Sequence, residues 1–300
     1  MAREHCLQAI CSHLGHGELD RRFGLSKVQS LANFRRAVAV MDLETHAQEV
    51  ESVLGFGASD GRPDGGGSYE RDLVVANWRR KLLQVHSSAT APRVLWLEAP
   101  TRDPVVDQIR HDDLASLGQP PTRIHSLSQV GGSAGLLEAL QRFRPQVLCV
   151  SSVYTCQWIE TLAGRPLDRL LPQLGLILAG GDLKLHVRAP IPVLGAGLLH
   201  RAGRLTLPTP RPPTAAMELA VASCVLELLP HRPLAGMPPD QTVLPEHAII
   251  GERYELVVSS PLGFLRLRSD EHVRVIGFSP PTSAFAYARP RVIRLPPPPL

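Results

Sequence analysis

The residues best placed to do chemistry lie in a glycine-rich stretch, Gly55 to Ser68, which holds six glycines. The stretch has no hydrophobic periodicity, so we predict a loop, and Tyr69 to Val85 after it has the pattern of an amphipathic helix. A glycine-rich loop that leads into a helix is suited to bind phosphate. Ser59 adds a hydroxyl donor and Arg62 adds a cation. This stretch is therefore a candidate anion site.

A second motif, Gly131-Gly132-Ser133-Ala134-Gly135, fits the Gly-x-Ser-x-Gly pattern of serine hydrolases, and a predicted helix follows it. The segment before it, Ile124 to Val130, is polar and makes a poor strand. A serine at a helix start is also commonly an N-cap, so both interpretations stay open. In the chain order that such a hydrolase requires, the partners of Ser133 are Asp182 and one of His186, His200 and His231.

A short cluster of metal-type side chains, His13, His16 and Glu18, lies near the N-terminus. Gly15 separates the two histidines and disfavours a common helical face, so the cluster indicates a solvated helix end rather than a metal site. We therefore name no metal-ligating residue from the sequence.

The composition, with 44% hydrophobic and 20% charged residues in a chain of 300, is that of a globular protein. Only 5% of the residues are aromatic and no basic block is present, which excludes a nucleic-acid partner. Five cysteines without a Cys-x-x-Cys pair fit free thiols, and no apolar run reaches the ~18 residues of a membrane helix. We predict a cytoplasmic protein with no membrane partner. The net charge of +4 comes mostly from arginine pairs, which support anion binding: Arg35-Arg36, Arg79-Arg80 and Arg266 with Arg268.

Helical and apolar patterns alternate through the first two thirds of the chain. Residues 5 to 54 have helical spacing of apolar side chains. Helical stretches then separate three short apolar runs, which we predict to be strands: Arg93 to Glu98, Val147 to Ser152 and Leu174 to Ala179. This order predicts an α/β fold with a largely parallel sheet that is buried on both faces.

From Cys224 onward the hydrophobic period changes to two, which predicts an antiparallel β-rich lobe. Its strands are Cys224 to Leu229, Tyr254 to Ser259, Phe264 to Leu267 and Val273 to Phe278, the last two joined by a charged turn. We therefore predict an α/β core over residues 1–223, a β-rich lobe over 224–295 and a proline tail over 296–300.

The lobe contains Gly251-Glu-Arg-Tyr-Glu-Leu-Val-Val-Ser, then Gly263-Phe-Leu-Arg-Leu-Arg-Ser-Asp-Glu271, then Val273-Arg-Val-Ile-Gly-Phe278. This segment resembles the auxin-responsive acyl acid amido synthetases, which belong to the acyl-adenylate-forming ligase superfamily. The corresponding motifs of that family are Gly-x-x-Tyr-Glu-Leu-Val-Val-Thr, Gly-Leu-Tyr-Arg-Tyr-Arg-Leu-Gly-Asp and Val-Arg-Val-x-Gly-Phe. Leu226 to Pro230 and Phe23 to Val53 are similar to two further family segments. The resemblance implies the large-domain fold of these ligases.

The resemblance also implies a chemistry. A carboxylate attacks the α-phosphate of MgATP, pyrophosphate leaves, and an amine or thiol then takes the acyl group. ATP and Mg²⁺ are the implied cofactors and a small carboxylic acid is the implied partner, while the oligomeric state stays open. The implied site residues are Ser59, Gly61 and Arg62 in the phosphate loop, Gly180 and Gly181 after a central strand, and Arg268 and Glu271 at the ribose.

Arg62 and Glu271 would be the catalytic residues, the first replacing the family's lysine and the second its ribose-binding aspartate. Both positions depart from the family, and so does the segment from Val193 to Leu199, which has no acid where the family places a metal-binding glutamate. At the ribose position, a charged turn that pairs Asp270 or Glu271 with Arg268 is an equal alternative. Gly180 and Gly181 also fit a simple tight turn.

Three functions remain open from the sequence. The first is an AMP-forming acid ligase with eroded motifs, and the second is an inactive relative that binds an acyl ligand or a protein partner. The third is a serine hydrolase that uses Ser133. Family members continue into a small C-terminal domain, which we expect to be absent because the chain ends at Leu300.

Overall fold

A computed structural model describes residues 2–54, 74–76, 78–80, 82–84, 91–98, 104–179, 190–200, 203–208, 216–220, 224–234, 236–238, 241–280 and 288–295. The chain forms two compact units. The first unit contains Met1–Glu70, Ala202–Thr206 and Glu218–Leu300, and the second contains Arg71–Arg201 and Leu207–Met217. No helix within the described ranges is long and apolar enough to span a membrane. The predicted boundary between residues 223 and 224 stays a prediction.

The described helices and strands are numbered in chain order. The helices are α1 (Ala2–Leu14), α2 (Gly17–Phe23), α3 (Leu31–Ala37), α4 (Leu43–His46), α5 (Ser52–Leu54), α6 (Pro104–Ala115), α7 (Gly132–Phe143), α8 (Val153–Ala163) and α9 (Leu167–Leu170). The strands are β1 (Val94–Leu97), β2 (Thr122–Ile124), β3 (Val147–Val150), β4 (Leu176–Ala179), β5 (Val193–Gly195), β6 (Leu199–His200), β7 (Gly203–Arg204), β8 (Thr206–Pro208), β9 (Met217–Leu219), β10 (Val225–Pro230), β11 (Arg253–Ser260), β12 (Phe264–Ser279) and β13 (Arg289–Leu295). Residues 74–76, 78–80 and 82–84 are also helical.

The second unit is built on a five-stranded parallel sheet with the order β2-β1-β3-β4-β5. Every residue of β1, β3 and β4 is buried, as expected for a parallel sheet that helices cover on both faces. These are the three strands that the apolar runs predicted. The predicted α/β fold is therefore confirmed for this part of the chain.

Local signals start the helices of this unit. The hydroxyl of Ser152 accepts a hydrogen bond from the backbone N–H of Tyr154 at 3.2 Å and thereby caps α8. Gly131, with φ of 77°, precedes α7, and a capping box of Ser126 and Gln129 starts the 3₁₀ turn before it. Leu136 and Leu140 of α7 are both buried in the core beside β1 and β3. This packing holds α7 against the parallel sheet.

The first unit holds β10 to β13 of a six-stranded sheet whose order is β10-β11-β12-β13-β9-β8. The pairs β10 with β11, β11 with β12 and β12 with β13 are antiparallel, which confirms the predicted β-rich lobe. The predicted charged turn between Leu267 and Val273 is wrong, because β12 continues without a break from Phe264 to Ser279. Residues 268–272 instead form an irregularity inside this strand.

Helices α1 to α5, which fall within the predicted helical region, belong to the same unit. Their apolar side chains form a core cluster together with Val225 of β10 and Leu265 of β12. Met41 joins the sheet through its backbone: its N–H donates to the carbonyl of Arg266 at 3.0 Å, and its carbonyl accepts from Arg268 at 2.8 Å. The N-terminal segment is thus attached to β12 beside the candidate ribose site.

Candidate functional site

The site residues implied by the sequence fall into two groups. Arg268 and Glu271 are described by the structure and lie in β12. The others, Ser59, Gly61, Arg62, Gly180 and Gly181, lie outside the described residues. The phosphate loop and the glycine turn therefore stay predictions, and the observed part of the candidate site is the ribose position.

β12 forms a bulge at this position. Val257 of β11 faces Arg268 and Glu255 faces His272, so the single intervening residue of β11 lies opposite three residues of β12. Asp270, inside the bulge, has φ of 56°. Aspartate tolerates this left-handed conformation better than most residues do, so Asp270 supplies a geometry for which glycine is otherwise best suited. The bulge changes the direction in which the side chains after Arg268 point.

Arg268 is held by a buried carboxylate on the neighbouring strand. Its Nε and Nη2 donate to Oε2 of Glu255 at 2.9 and 2.7 Å, and these bonds raise the pKa of Arg268. The other oxygen of Glu255 accepts from the backbone N–H of Asp270 at 3.3 Å. A single buried glutamate thus stabilises both the arginine and the bulge.

Glu271 has a different partner. Its Oε1 accepts from Nη2 of Arg294 on β13 at 2.7 Å, and burial raises the pKa of its carboxyl group while the arginine opposes that effect. Within the described part of the chain, no donor reaches Oε2. The alternative that Asp270 or Glu271 pairs with Arg268 is therefore wrong, because Arg268 pairs with Glu255 and Glu271 with Arg294. Glu271 keeps one carboxylate oxygen available for a hydroxyl donor.

Two histidines form a pair beside the bulge that the sequence did not indicate, although His231 was a candidate partner of Ser133. Nε2 of His231 and Nδ1 of His272 lie 2.9 Å apart, and their ring centroids are 4.9 Å apart. Burial lowers the pKa of His231, and the neighbouring His272 lowers it further. A hydrogen bond between the rings needs one nitrogen to donate and the other to accept, so double protonation would break it. His231 directly follows β10, so finding this pair required the registers of β10 with β11 and of β11 with β12, which no local pattern encodes.

The carboxyl end of the parallel sheet is organised by Arg123. Its guanidinium lies 3.6 Å from the ring centroid of Trp96, and its Nη1 donates to Oδ2 of Asp107 at 2.9 Å. Nε of Arg123 donates to the carbonyl of Glu98, whose carboxylate accepts from the indole of Trp96. Ligands of open α/β sheets bind at this end of the strands. The cluster stabilises the strand ends there.

No protein-family model and no curated protein matches the sequence. Solved structures do match it. A GH3-type acyl acid amido synthetase in complex with 2,4-DB gives a TM-score of 0.66 at 14% identity, with 100% of this chain and 68% of the other covered. The 2-hydroxyisobutyryl-CoA ligase in the postadenylation state, in complex with 2-HIB-AMP, gives 0.61 at 14% identity, with 96% and 65% covered. The fold is that of the acyl-adenylate-forming ligases. At this identity the likeness confirms the predicted fold and does not distinguish an auxin-responsive member.

In this adenylate-forming fold, the segment from Val193 to Leu199 carries a cation contact instead of an acid. Arg110 of α6 donates through Nη1 to the carbonyl of Ala196 and through Nη2 to that of Gly197, the latter at 3.2 Å. The two carbonyl oxygens are thus engaged by a guanidinium, which repels a second cation. Over the described ranges, no group of three or more His, Cys, Asp or Glu side chains is arranged to hold a metal ion.

Ser133 lies in the first turn of α7, after two glycines with positive φ. A 3₁₀ turn, Leu127–Val130, precedes it, whereas a nucleophile elbow requires a strand there. Gly131, not Ser133, occupies the N-cap position, so the predicted capping role of Ser133 is wrong. Asp182 and His186 lie outside the described residues, and neither of the described candidates, His200 and His231, is hydrogen-bonded to Ser133.

Proposed function

We propose that this protein is an acyl-adenylate-forming ligase with reduced activity. It would bind ATP and a small carboxylic acid, and a carboxylate oxygen would form a bond to the α-phosphorus while the bond to the pyrophosphate oxygen breaks. The observation that carries the proposal is Glu271, a carboxylate on the bulge of β12 that keeps one oxygen without a donor among the described residues. Such an oxygen can accept a hydrogen bond from a ribose hydroxyl.

The phosphate-binding part of the proposal rests on residues outside the described ranges. Backbone N–H groups around Gly61 and the hydroxyl of Ser59 would donate to the phosphate oxygens. Arg62 would stabilise the negative charge that develops on the leaving pyrophosphate, an effect that dominates catalysis in phosphoryl and adenylyl transfer. Gly180 and Gly181 would let the nucleotide or the acid approach the backbone closely, since they have no side chain.

The ribose-binding part rests on contacts in the first unit. Arg294 neutralises Glu271 from one side and holds its Oε1, which orients Oε2. Arg268 acts at a distance from the nucleotide as a positioning residue, because its pair with Glu255 stabilises the bulge in which Glu271 lies. Two hydrogen bonds from ribose hydroxyls to an ionised carboxylate are charge-assisted and therefore strong.

A magnesium ion fits the described residues poorly. The segment from Val193 to Leu199 has no carboxylate, and Arg110 engages the carbonyls of Ala196 and Gly197. Because Mg²⁺ prefers carboxylate and phosphate oxygens, these residues would not hold it. The same observation favours the second candidate function, in which the protein binds an acyl ligand or a protein partner without catalysis.

We further propose a cytoplasmic location. None of the cysteines at positions 6, 11, 149, 156 and 224 forms a disulfide. Burial raises the pKa of both Cys149 and Cys156 to about 12, so these two thiols stay protonated and inert at neutral pH. Free thiols are typical of proteins in reducing compartments.

The deciding experiment measures pyrophosphate release by the purified chain with MgATP and a panel of small carboxylic acids, together with ATP affinity. We expect Glu271→Gln to weaken ATP binding by about 10- to 100-fold, because a hydrogen bond to a charged group contributes roughly 1.5–3 kcal/mol. Glu252→Gln is the matched control, since Glu252 is exposed on the same unit. We expect it to leave ATP binding unchanged.

Three results would redirect the assignment. If ATP produces neither pyrophosphate release nor thermal stabilisation of the wild-type protein, the ligase proposal fails. If an acid from the panel then stabilises the protein on its own, the inactive relative is supported. Covalent labelling of Ser133 by a fluorophosphonate would instead support a serine hydrolase.

A further inference from the structure

A buried network of charges lies in the first unit, away from the bulge at Asp270. The carboxylate of Glu227 on β10 has no exposed surface, and Arg266 of β12 is only 5% exposed. Nε and Nη2 of Arg266 donate to the two oxygens of Glu227 at 2.8 and 3.1 Å. The remaining donors of Arg266 bond to the carbonyls of Arg35 and Val38 and to the hydroxyl of Thr242. Arg266 is therefore fully satisfied.

A second irregularity of β12 orients this arginine. Val258 of β11 faces Leu267 and Ser260 faces Phe264, so β12 has one extra residue at this point. Arg266 adopts φ of 45° there, and its backbone N–H donates to the hydroxyl of Ser259 at 2.9 Å. An arginine in this conformation is strained, and strain of this kind persists only where surrounding contacts determine the geometry.

Two further arginines come from α3. Nε of Arg35 forms an ion pair with Oε2 of Glu227 at 2.9 Å, and its Nη2 donates to Thr242, while its Nη1 has no partner in the described part of the chain. Arg36 uses Nε on the carbonyl of Ala32 at 3.3 Å. Neither terminal nitrogen of Arg36 has a partner among the residues that the structure describes. Ala32, Arg35 and Arg36 have i, i+3 and i+4 spacing and so share one face of the helix.

These side chains enclose a cleft of about 400 Å³. Its lining residues are Ala32, Arg35, Arg36, Gln241, Thr242 and Arg266. Among the described residues, Glu227 is the one carboxylate that pairs with these guanidinium groups, so two of the three positive charges have no described counter-charge. A phosphate ester carries a charge of about −1.5 to −2 at neutral pH, and the planar guanidinium matches its oxygens. The volume suits a small organic ligand.

We propose that this arginine cleft binds a small phosphomonoester. Arg36 and Nη1 of Arg35 contact the phosphate oxygens, and Gln241, which also lines the cleft, bonds the remainder of the ligand. The orientation of Arg35 is fixed by Glu227, Thr242 and Arg266. The side-chain donors of these residues are already engaged, so they do not contact the ligand. Two of the arginine clusters in the sequence, Arg35-Arg36 and Arg266, thus meet at one anion site. None of its lining residues belongs to the segment from Ser59 to Arg62, and the proposal does not depend on ligase activity.

The test measures binding of phenyl phosphate to the full chain by calorimetry, with benzoate as a monoanion of similar size. All titrations are made at the same low ionic strength, because salt screens contacts between an anion and the arginines. We expect Arg36→Gln to weaken phenyl phosphate binding at least tenfold, the loss typical of one charge-assisted hydrogen bond. Arg36→Lys should retain part of the affinity. Arg21→Gln is the matched control, since Arg21 is 77% exposed on α2.

Arg36 has no partner beyond its own helix among the described residues, so Arg36→Gln should fold normally, which its thermal unfolding will check. The proposal is overturned if the wild-type protein does not bind phenyl phosphate, or if Arg36→Gln weakens benzoate binding as much as phenyl phosphate binding. It is equally overturned if Arg36→Gln and Arg21→Gln behave alike. A loss of binding in Arg62→Gln alone would assign the phosphate to the glycine-rich loop and refute the arginine cleft, while supporting the ligase.

Discussion

Replacing Glu227 by Gln should destabilise the first unit more than any other conservative change that we consider. The buried carboxylate accepts from Arg266 at 2.8 and 3.1 Å and forms an ion pair with Arg35 at 2.9 Å. Removing one partner of a buried ion pair costs about 3–5 kcal/mol, because the other charge stays buried without compensation. Arg35 is 25% exposed and can be hydrated in part, so we expect about 3 kcal/mol. That is a large share of the roughly 5–15 kcal/mol that stabilises a domain.

The assay is urea unfolding of the full chain followed by far-ultraviolet circular dichroism. Tryptophan fluorescence would report on the wrong unit, because Trp78, Trp96 and Trp158 all belong to the second. Glu252→Gln, an exposed change, should stay within about 0.5 kcal/mol of wild type. A loss below about 1 kcal/mol in Glu227→Gln would refute the reasoning.

A double substitution isolates the cause of the loss. Glu227→Leu with Arg266→Met replaces both charges by apolar side chains, and such replacements of buried pairs are often close to neutral. We expect the double variant to lose clearly less stability than the sum of the two single variants. Additive losses would show that volume and shape, rather than the unpaired charge, determine the effect.

Two further changes test the bulge and the histidine pair. Asp270→Val should lower the free energy of unfolding by about 1–2 kcal/mol, since a β-branched residue fits φ of 56° poorly. Asp270→Gly should not lower it. Equal stability of the Val and Gly variants in urea would contradict this prediction. The pKa of His231 is lowered in the folded state by burial and by His272, so its contribution to stability is present above about pH 6.5 and is lost as the pH falls below that value. His231→Asn should therefore flatten the pH dependence of unfolding between about pH 7 and pH 5, and an unchanged slope would count against the pair.

The sequence predicted the parts of the fold in which one strand carries its own signal. β1, β3 and β4 are buried along their whole length, and burial on both faces requires a continuous apolar run. β2 (Thr122–Ile124) and β5 (Val193–Gly195) were missed because each has three residues and is partly exposed. So short a strand is determined by its neighbours in the sheet more than by its own residues.

β12 shows why the candidate site was predicted only in part. The polar segment from Arg268 to Glu271 breaks the alternation of apolar and polar residues, and such a break favours a turn. The strand nevertheless continues through this segment. A bulge inserts residues without ending the strand, and the sequence pattern does not distinguish the two. The partners Glu255 and Arg294 follow from the register across three strands, so the sequence placed Arg268 and Glu271 without showing what holds them.

Two of the three irregularities of β12 are stabilised in the same way, and this constrains the functional proposals. Arg266 and Asp270 each have positive φ, a conformation that costs a non-glycine residue roughly 1–3 kcal/mol when it is strained. Each is stabilised by a buried carboxylate, Glu227 for the first and Glu255 for the second. Because these carboxylates are already engaged, neither is available to a ligand. Among the described residues of this region, the groups that remain available include the second oxygen of Glu271 on β12, and Arg36 and Nη1 of Arg35 on α3. A hydroxyl-bearing nucleotide and a phosphate ester would therefore bind β12 and α3 through opposite charges and at different places.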